Sequence, residues 1–210
     1  MDELDRDWRE TVRVAGATAS AVDVDRAGAR LLARWAEQHR HYHDREHLTE
    51  VLAALNQLAD LPRDAAAVRL AAWFHDAVYE GRPGDDEQAS AALAEQVLGT
   101  LGVPADRVTR VVRLVRLTAG HDPGPADRDG QVLCDADLAI LAAPATRYAR
   151  YAAAVRAEYA HVPDDAFCAG RAAVLRGLGA GPIYRTDRAR LRWEAAARAN
   201  LDAELSALRA

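Results

Sequence analysis

The feature that most constrains this chain is a segment around residues 64–80. Val68, Leu70, Ala71, Ala72, Trp73, Phe74, Ala77 and Val78 make it apolar nearly all round, with His75 and Asp76 side by side inside it. A helix without a polar face has to be enclosed by other elements. A buried polar group lacking a partner costs roughly 2–7 kcal/mol. His75-Asp76 therefore needs something to bind it, and a metal ion is the commonest reason for an imidazole and a carboxylate to share such a place.

The rest of the chain reads as the shell this helix requires. Helical segments are expected at about 24–39, 44–60, 64–80, 86–101, 105–118, 129–142, 145–160, 164–178 and 188–208, separated by Gly, Pro and Asp breaks. Leu48, Val51, Leu52, Leu55 and Leu58 form one i, i+3, i+4 stripe, and Val108, Val111, Val112 and Val115 another. No break is long enough for an interdomain linker. The expectation is one all-α domain over residues 1–210, about nine helices, with its core at 24–208.

Composition excludes several classes. The 27 basic residues, all Arg, are interspersed with 32 acidic ones for a net charge of −5, which is no nucleic-acid footprint. The acidic N-terminus has no signal-peptide core, and no apolar run reaches the ~18 residues of a membrane span. A soluble, cytoplasmic protein is expected. Cys134 and Cys168 have no metal or disulfide spacing and read as small apolar residues.

Partners for His75-Asp76 come from two places. Four of the seven histidines (His39, His41, His43 and His47) fall within nine residues. His47 lies along the Leu48–Leu58 stripe, whereas His39 and His41 precede the helix and His43 adjoins its N-cap Asp44. Taken alone, His47 reads as a satisfied core histidine. In Cys134-Asp135-Ala136-Asp137-Leu138, Asp137 has Leu133, Cys134, Ile140 and Leu141 at helical offsets, all apolar, and Asp135 a more mixed set. Asp137 is thus the expected buried carboxylate, with Asp135 the second choice. His47, His75, Asp76 and Asp137 form an N2O2 set suited to divalent Mn, Fe, Co, Ni or Zn. Adjacent residues of a helix diverge by about 100°, so spacing alone does not bring His75 and Asp76 to one ion.

The order His … His-Asp … Asp on an all-helical chain resembles the HD superfamily of metal-dependent phosphohydrolases. Arg40-His41-Tyr42-His43-Asp44-Arg45-Glu46-His47 is similar to the Tyr-His-Asn-x-x-His segment of a bacterial subgroup of predicted phosphohydrolases. Trp73 to Tyr79 matches that group's central signature closely. Asp86-Glu87-Gln88-Ala89-Ser90-Ala91, Asp135 to Leu141, and Ala197-Arg198-Ala199-Asn200-Leu201 also fit, so the likeness runs from about residue 30 to the end. Asp44 and Asp86 stand where the subgroup has Asn; both read as capping positions. The acidic pair that follows His-Asp in alarmone hydrolases is absent here, where Ala77-Val78-Tyr79-Glu80 follows.

The resemblance implies His47, His75, Asp76 and Asp137 as ligands and a metal-acidified water, with a pKa of roughly 7–9, attacking a phosphoester. The substrate would be a nucleotide or other small phosphorylated metabolite. His121 is the first auxiliary, to contact phosphate or hold a second metal. Glu87 would orient water or act as base, and His43 would hold His47 or phosphate. Arg45 reads as a solvated residue, Tyr79 and Trp73 as core, and His161 as a loop residue. Two alternatives stand beside the hydrolase: a dinuclear-iron oxygenase, and a non-catalytic helical module held by a closed metal site.

Overall fold

The structure, a computed structural model, describes residues 2–208. Its helices are α1 (Glu3–Val14), α2 (Ala21–Arg34), α3 (Arg45–Gln57), α4 (Ala65–Phe74), α5 (Asp85–Thr100), α6 (Ala105–Leu117), α7 (Arg128–Asp137), α8 (Ala145–Glu158), α9 (Asp164–Gly179) and α10 (Asp187–Ala207). A 3-10 segment, Leu138–Ala142, lies between α7 and α8, and no strand occurs among the described residues. None of the helices is long and apolar enough to cross a membrane.

The starts are chemical. Asp44, Asp64, Asp127 and Thr186 each accept a backbone N–H of the helix they open, satisfying donors that have no intrahelical partner. Proline stands at the N-cap of α6, α8 and α9. Asp86 differs from its expected capping role: it lies inside α5, buried, and accepts the N–H groups of Glu80 and Arg82, so it shapes the loop before the helix.

α4 is the enclosed centre. Ala67, Val68, Leu70, Ala71, Ala72, Trp73 and Phe74 are all buried, and α1, α3, α5, α6 and α7 pack around them. The helix α1 was not foreseen, and the core extends to it rather than beginning near residue 24. Its buried residues Leu4, Trp8, Thr11 and Val12 obey helical spacing, and Asp2 and Asp5 close a capping box at its start. Trp8 packs edge-on against Trp73 and Phe74, and Asp7 accepts the Trp73 indole N–H at 2.8 Å. Glycine is required at Gly28 on α2, where a Cβ would sit 2.5 Å from the Trp8 ring.

Two boundaries matter for function. The segment read as 64–80 stops being helical at Phe74. The backbone turns there because the carbonyls of Asp76 and Ala77 point to the buried guanidinium of Arg40, at 2.7 and 3.3 Å. Ser90 holds Val78 through both its N–H and its carbonyl. The segment read as 129–142 is α7 to Asp137 and then the tighter 3-10 segment, so side chains past Asp137 depart from α-helical offsets.

Candidate metal centre

Three elements deliver the centre. Asp44 caps α3 and sets His47 in its first turn, only 2% exposed. Arg40 ends α4 so that His75 and Asp76 fall in the turn after it, and Asp137 is the last residue of α7. His75 keeps helical dihedrals at the C-cap, and its long imidazole nevertheless meets the next side chain: His75 Nε2 and Asp76 Oδ2 lie 3.1 Å apart.

His47 Nε2 and His75 Nε2 face each other at 3.1 Å. Asp137 Oδ1 is 3.2 Å from the first and 3.3 Å from the second, and Asp76 Oδ2 is 3.6 Å from His47 Nε2. The ligand atoms of His47, His75 and Asp137 lie within 4.8 Å of one another, a cluster able to hold a metal ion.

The chemistry of the donors fits a cation. His75 Nδ1 is 2.8 Å from the carbonyl of Ala72, which can only accept, so Nδ1 carries a proton and the proton a cation would displace is the one at Nε2, which faces inward. Bonds of about 2.0–2.2 Å to one ion place neighbouring ligand atoms roughly 2.8–3.6 Å apart, from octahedral to tetrahedral arrangements, and the five distances here fall in that range. Burial by itself would push both imidazoles down and both carboxyls up. The opposite charges nearby outweigh it, so His75 is raised well above its usual range and His47 is raised too. Asp76 and Asp137 are held well below the usual carboxylate range. Tyr42 packs its ring 4.7 Å from that of His47, and its buried hydroxyl has no partner among the described residues. That orphaned group leaves hydrogen-bonding capacity beside the cluster.

The two aspartates of α7 divide differently from their sequence surroundings. Asp135 is the fully buried one, and its oxygens accept Arg185 N–H at 2.6 Å and Thr186 N–H at 2.8 Å. Asp137, 11% exposed, is the one at the cluster. The offset argument fails because α7 ends at Asp137 and the segment before α10 covers Asp135 instead.

His121 also lands at the cluster, beside Asp137. Its Nε2 is 2.7 Å from Asp137 Oδ2, so it holds the carboxylate whose other oxygen faces the two imidazoles. It does so from a left-handed backbone conformation, φ 47°, which is uncommon outside glycine. Glu87 is not brought in: its carboxylate accepts the N–H of Gly84 in the capping box of α5. Arg45 is half-exposed and paired with Asp2, and Trp73 is core. Tyr79 is only partly core, since it stacks on His43 at 4.2 Å. His161 stacks on Tyr159.

Glu158, at the end of α8, escaped the sequence reading. One of its oxygens accepts three successive backbone N–H groups, of His41, Tyr42 and His43, at 2.8, 2.8 and 3.0 Å. The other is 2.7 Å from His43 Nδ1 and accepts the Tyr79 hydroxyl at 3.0 Å. Burial would raise this carboxyl, but its hydrogen bonds and the His43 charge bring it down to about 2. A carboxyl lowered in the folded state stabilises above its unfolded pKa, about 4.5, and that contribution is lost as pH falls toward 2. Glu158→Gln is therefore expected to cost on the order of 3 kcal/mol at neutral pH, roughly 6–12 °C in Tm. The gap between the two Tm values closes from pH 5 down to pH 2. Calorimetry across that range checks it, and a gap independent of pH would contradict it.

Set against known proteins, the chain matches no family model, and no curated protein or solved structure is significantly similar to it.

Proposed function

We infer that the chain is a metal-dependent phosphohydrolase of the HD type. Its substrate would be a phosphoester of a nucleotide or another small metabolite. The observation that carries this reading is the convergence of His47, His75 and Asp137, with ligand atoms within 4.8 Å, beside Asp76. His47, His75, Asp76 and Asp137 would hold one divalent ion, and two imidazoles with two carboxylates suit Mn, Fe, Co, Ni or Zn. When bound, such an ion supplies Lewis acidity, acidifying water toward a pKa of about 7 and drawing charge off a phosphoryl oxygen.

The chain's own residues do the rest. His121 fixes the orientation of Asp137. Asp76, 16% exposed, and Asp137, 11% exposed, form the side of the cluster that solvent reaches. His43, 23% exposed, has Nδ1 engaged by Glu158 and no partner at Nε2 among the described residues. It is the donor of a proton to the departing oxygen. Glu158 holds the ring in place, and Tyr79 stacks against its face.

One observation favours this reading over a purely structural role. A purely structural site would be closed, and this one is open to solvent at its carboxylates.

The test is a panel of nucleoside monophosphates, cyclic nucleotides and aryl phosphates, run with Mn, Fe, Co, Ni and Zn. Turnover is expected with at least one ion, lost on chelation and reduced to background in Asp76→Ala. Activity unchanged in Asp76→Ala would sink the mechanism.

A further inference from the structure

The segment Ile183 to Thr186, between α9 and α10, has no regular structure, yet carboxylates hold all four of its backbone N–H groups. Glu194 accepts Ile183 and Tyr184 at 3.1–3.2 Å, and Asp135 accepts Arg185 and Thr186. Charge-assisted bonds of this kind are the strong ones. Ile183 and Tyr184 are buried and the Thr186 hydroxyl caps α10, so the side chain this strap presents to solvent is Arg185, 36% exposed.

Its guanidinium is tied to the metal centre through His121. Arg185 Nη2 donates to the His121 carbonyl at 3.1 Å, and the His121 imidazole is the group on Asp137. Its carboxylate neighbour, Asp122, is 3.8 Å away and 90% exposed, a pairing of little strength. A guanidinium has five N–H donors, and among the described residues Nε and Nη1 of Arg185 have no partner. A divalent ion would be balanced by Asp76 and Asp137, and the Glu158 charge is held by His43. Arg185, with the Asp135 carboxylate on its backbone N–H and Asp122 3.8 Å from its guanidinium, is a positive group on the His121 side of the site.

We propose that Arg185 binds the phosphate of the substrate, and that the site takes terminal phosphomonoesters in preference to diesters. The proposal rests on the phosphohydrolase reading above. A monoester carries up to two negative charges near neutral pH, its second pKa being about 6, and offers three terminal oxygens to a fork of donors. A diester has one charge and fewer free oxygens.

The experiment compares wild type, Arg185→Gln and Arg185→Lys, each loaded with the most activating ion. Its readouts are KM and kcat for p-nitrophenyl phosphate and bis-p-nitrophenyl phosphate, and calorimetric binding of inorganic phosphate. Arg185→Gln is expected to raise monoester KM and the phosphate Kd by about 10–100-fold, with diester KM, metal affinity and Tm little changed. Arg185→Lys recovers part of the loss. A residue that only braced the His121 loop would move metal affinity and both esters together, which overturns the proposal. So does a phosphate Kd that is the same in wild type and Arg185→Gln, or the absence of phosphate binding in wild type. Wild type that binds phosphate through Arg185 but turns over no ester would sink the hydrolase reading while leaving the anion site standing.

Discussion

His75→Ala is expected to abolish divalent-ion binding and ester hydrolysis together. Its Nε2 lies 3.1 Å from His47 Nε2, 3.3 Å from Asp137 Oδ1 and 3.1 Å from Asp76 Oδ2, so its removal takes away the atom nearest to all the others. That leaves one imidazole with two partly enclosed carboxylates close to each other, and charge without compensation is disfavoured there. His121→Ala should do less. It touches the cluster only through Asp137 Oδ2, and loss of such an outer partner costs roughly 10–100-fold in metal affinity or activity. Titration of the metal into wild type and both variants, followed by turnover assays, checks the order. Equal effects from the two substitutions, or an ion bound normally by His75→Ala, would show that the ion is held elsewhere.

The second large effect belongs to His43. His43→Gln is expected to lower kcat by about 10²–10³-fold for esters whose leaving group is an alkoxide, the range for a positioned general acid. Nitrophenyl phosphates, whose leaving group needs no proton, should lose less than about threefold in the same variant, because nothing else in the catalytic step depends on that proton. Metal affinity should stay near the wild-type value. The imidazole contacts the His47 ring edge-on, at 5.7 Å between centroids, and is not among the three cluster ligands. Equal losses for both kinds of leaving group would assign His43 to phosphate binding instead of proton donation.

Much of this was legible in the sequence, for uneven reasons. The enclosed α4 was readable because a helix with no polar face admits one placement. His47 was readable because the stripe from Leu48 to Leu58 fixes which face of α3 turns inward. Asp137 was chosen by an argument the structure does not uphold: Asp135 is the deeper carboxylate, and the 3-10 segment breaks the offsets used to compare them. The turn at His75-Asp76 was hidden because its cause, Arg40, is 36 residues away and one of 27 arginines. Glu158 was hidden for the same kind of reason, its partners lying 115 to 117 residues upstream. One local sign did exist. A carboxylate at the last residue of a helix opposes the dipole, and something has to make that placement favourable. The stripe of α1, from Leu4 through Trp8 to Thr11 and Val12, needed no distant partner to be seen.

The indole of Trp35 is fully buried, with its N–H on the carbonyl of Trp73 and its ring 5.5 Å from His75 and 6.2 Å from His47. A paramagnetic ion held by those two imidazoles would sit beside this chromophore and quench its emission, whereas zinc, with its filled d shell, would leave it bright. The protein thus carries its own optical probe of the centre, able to report occupancy, exchange and chelation in the absence of any substrate.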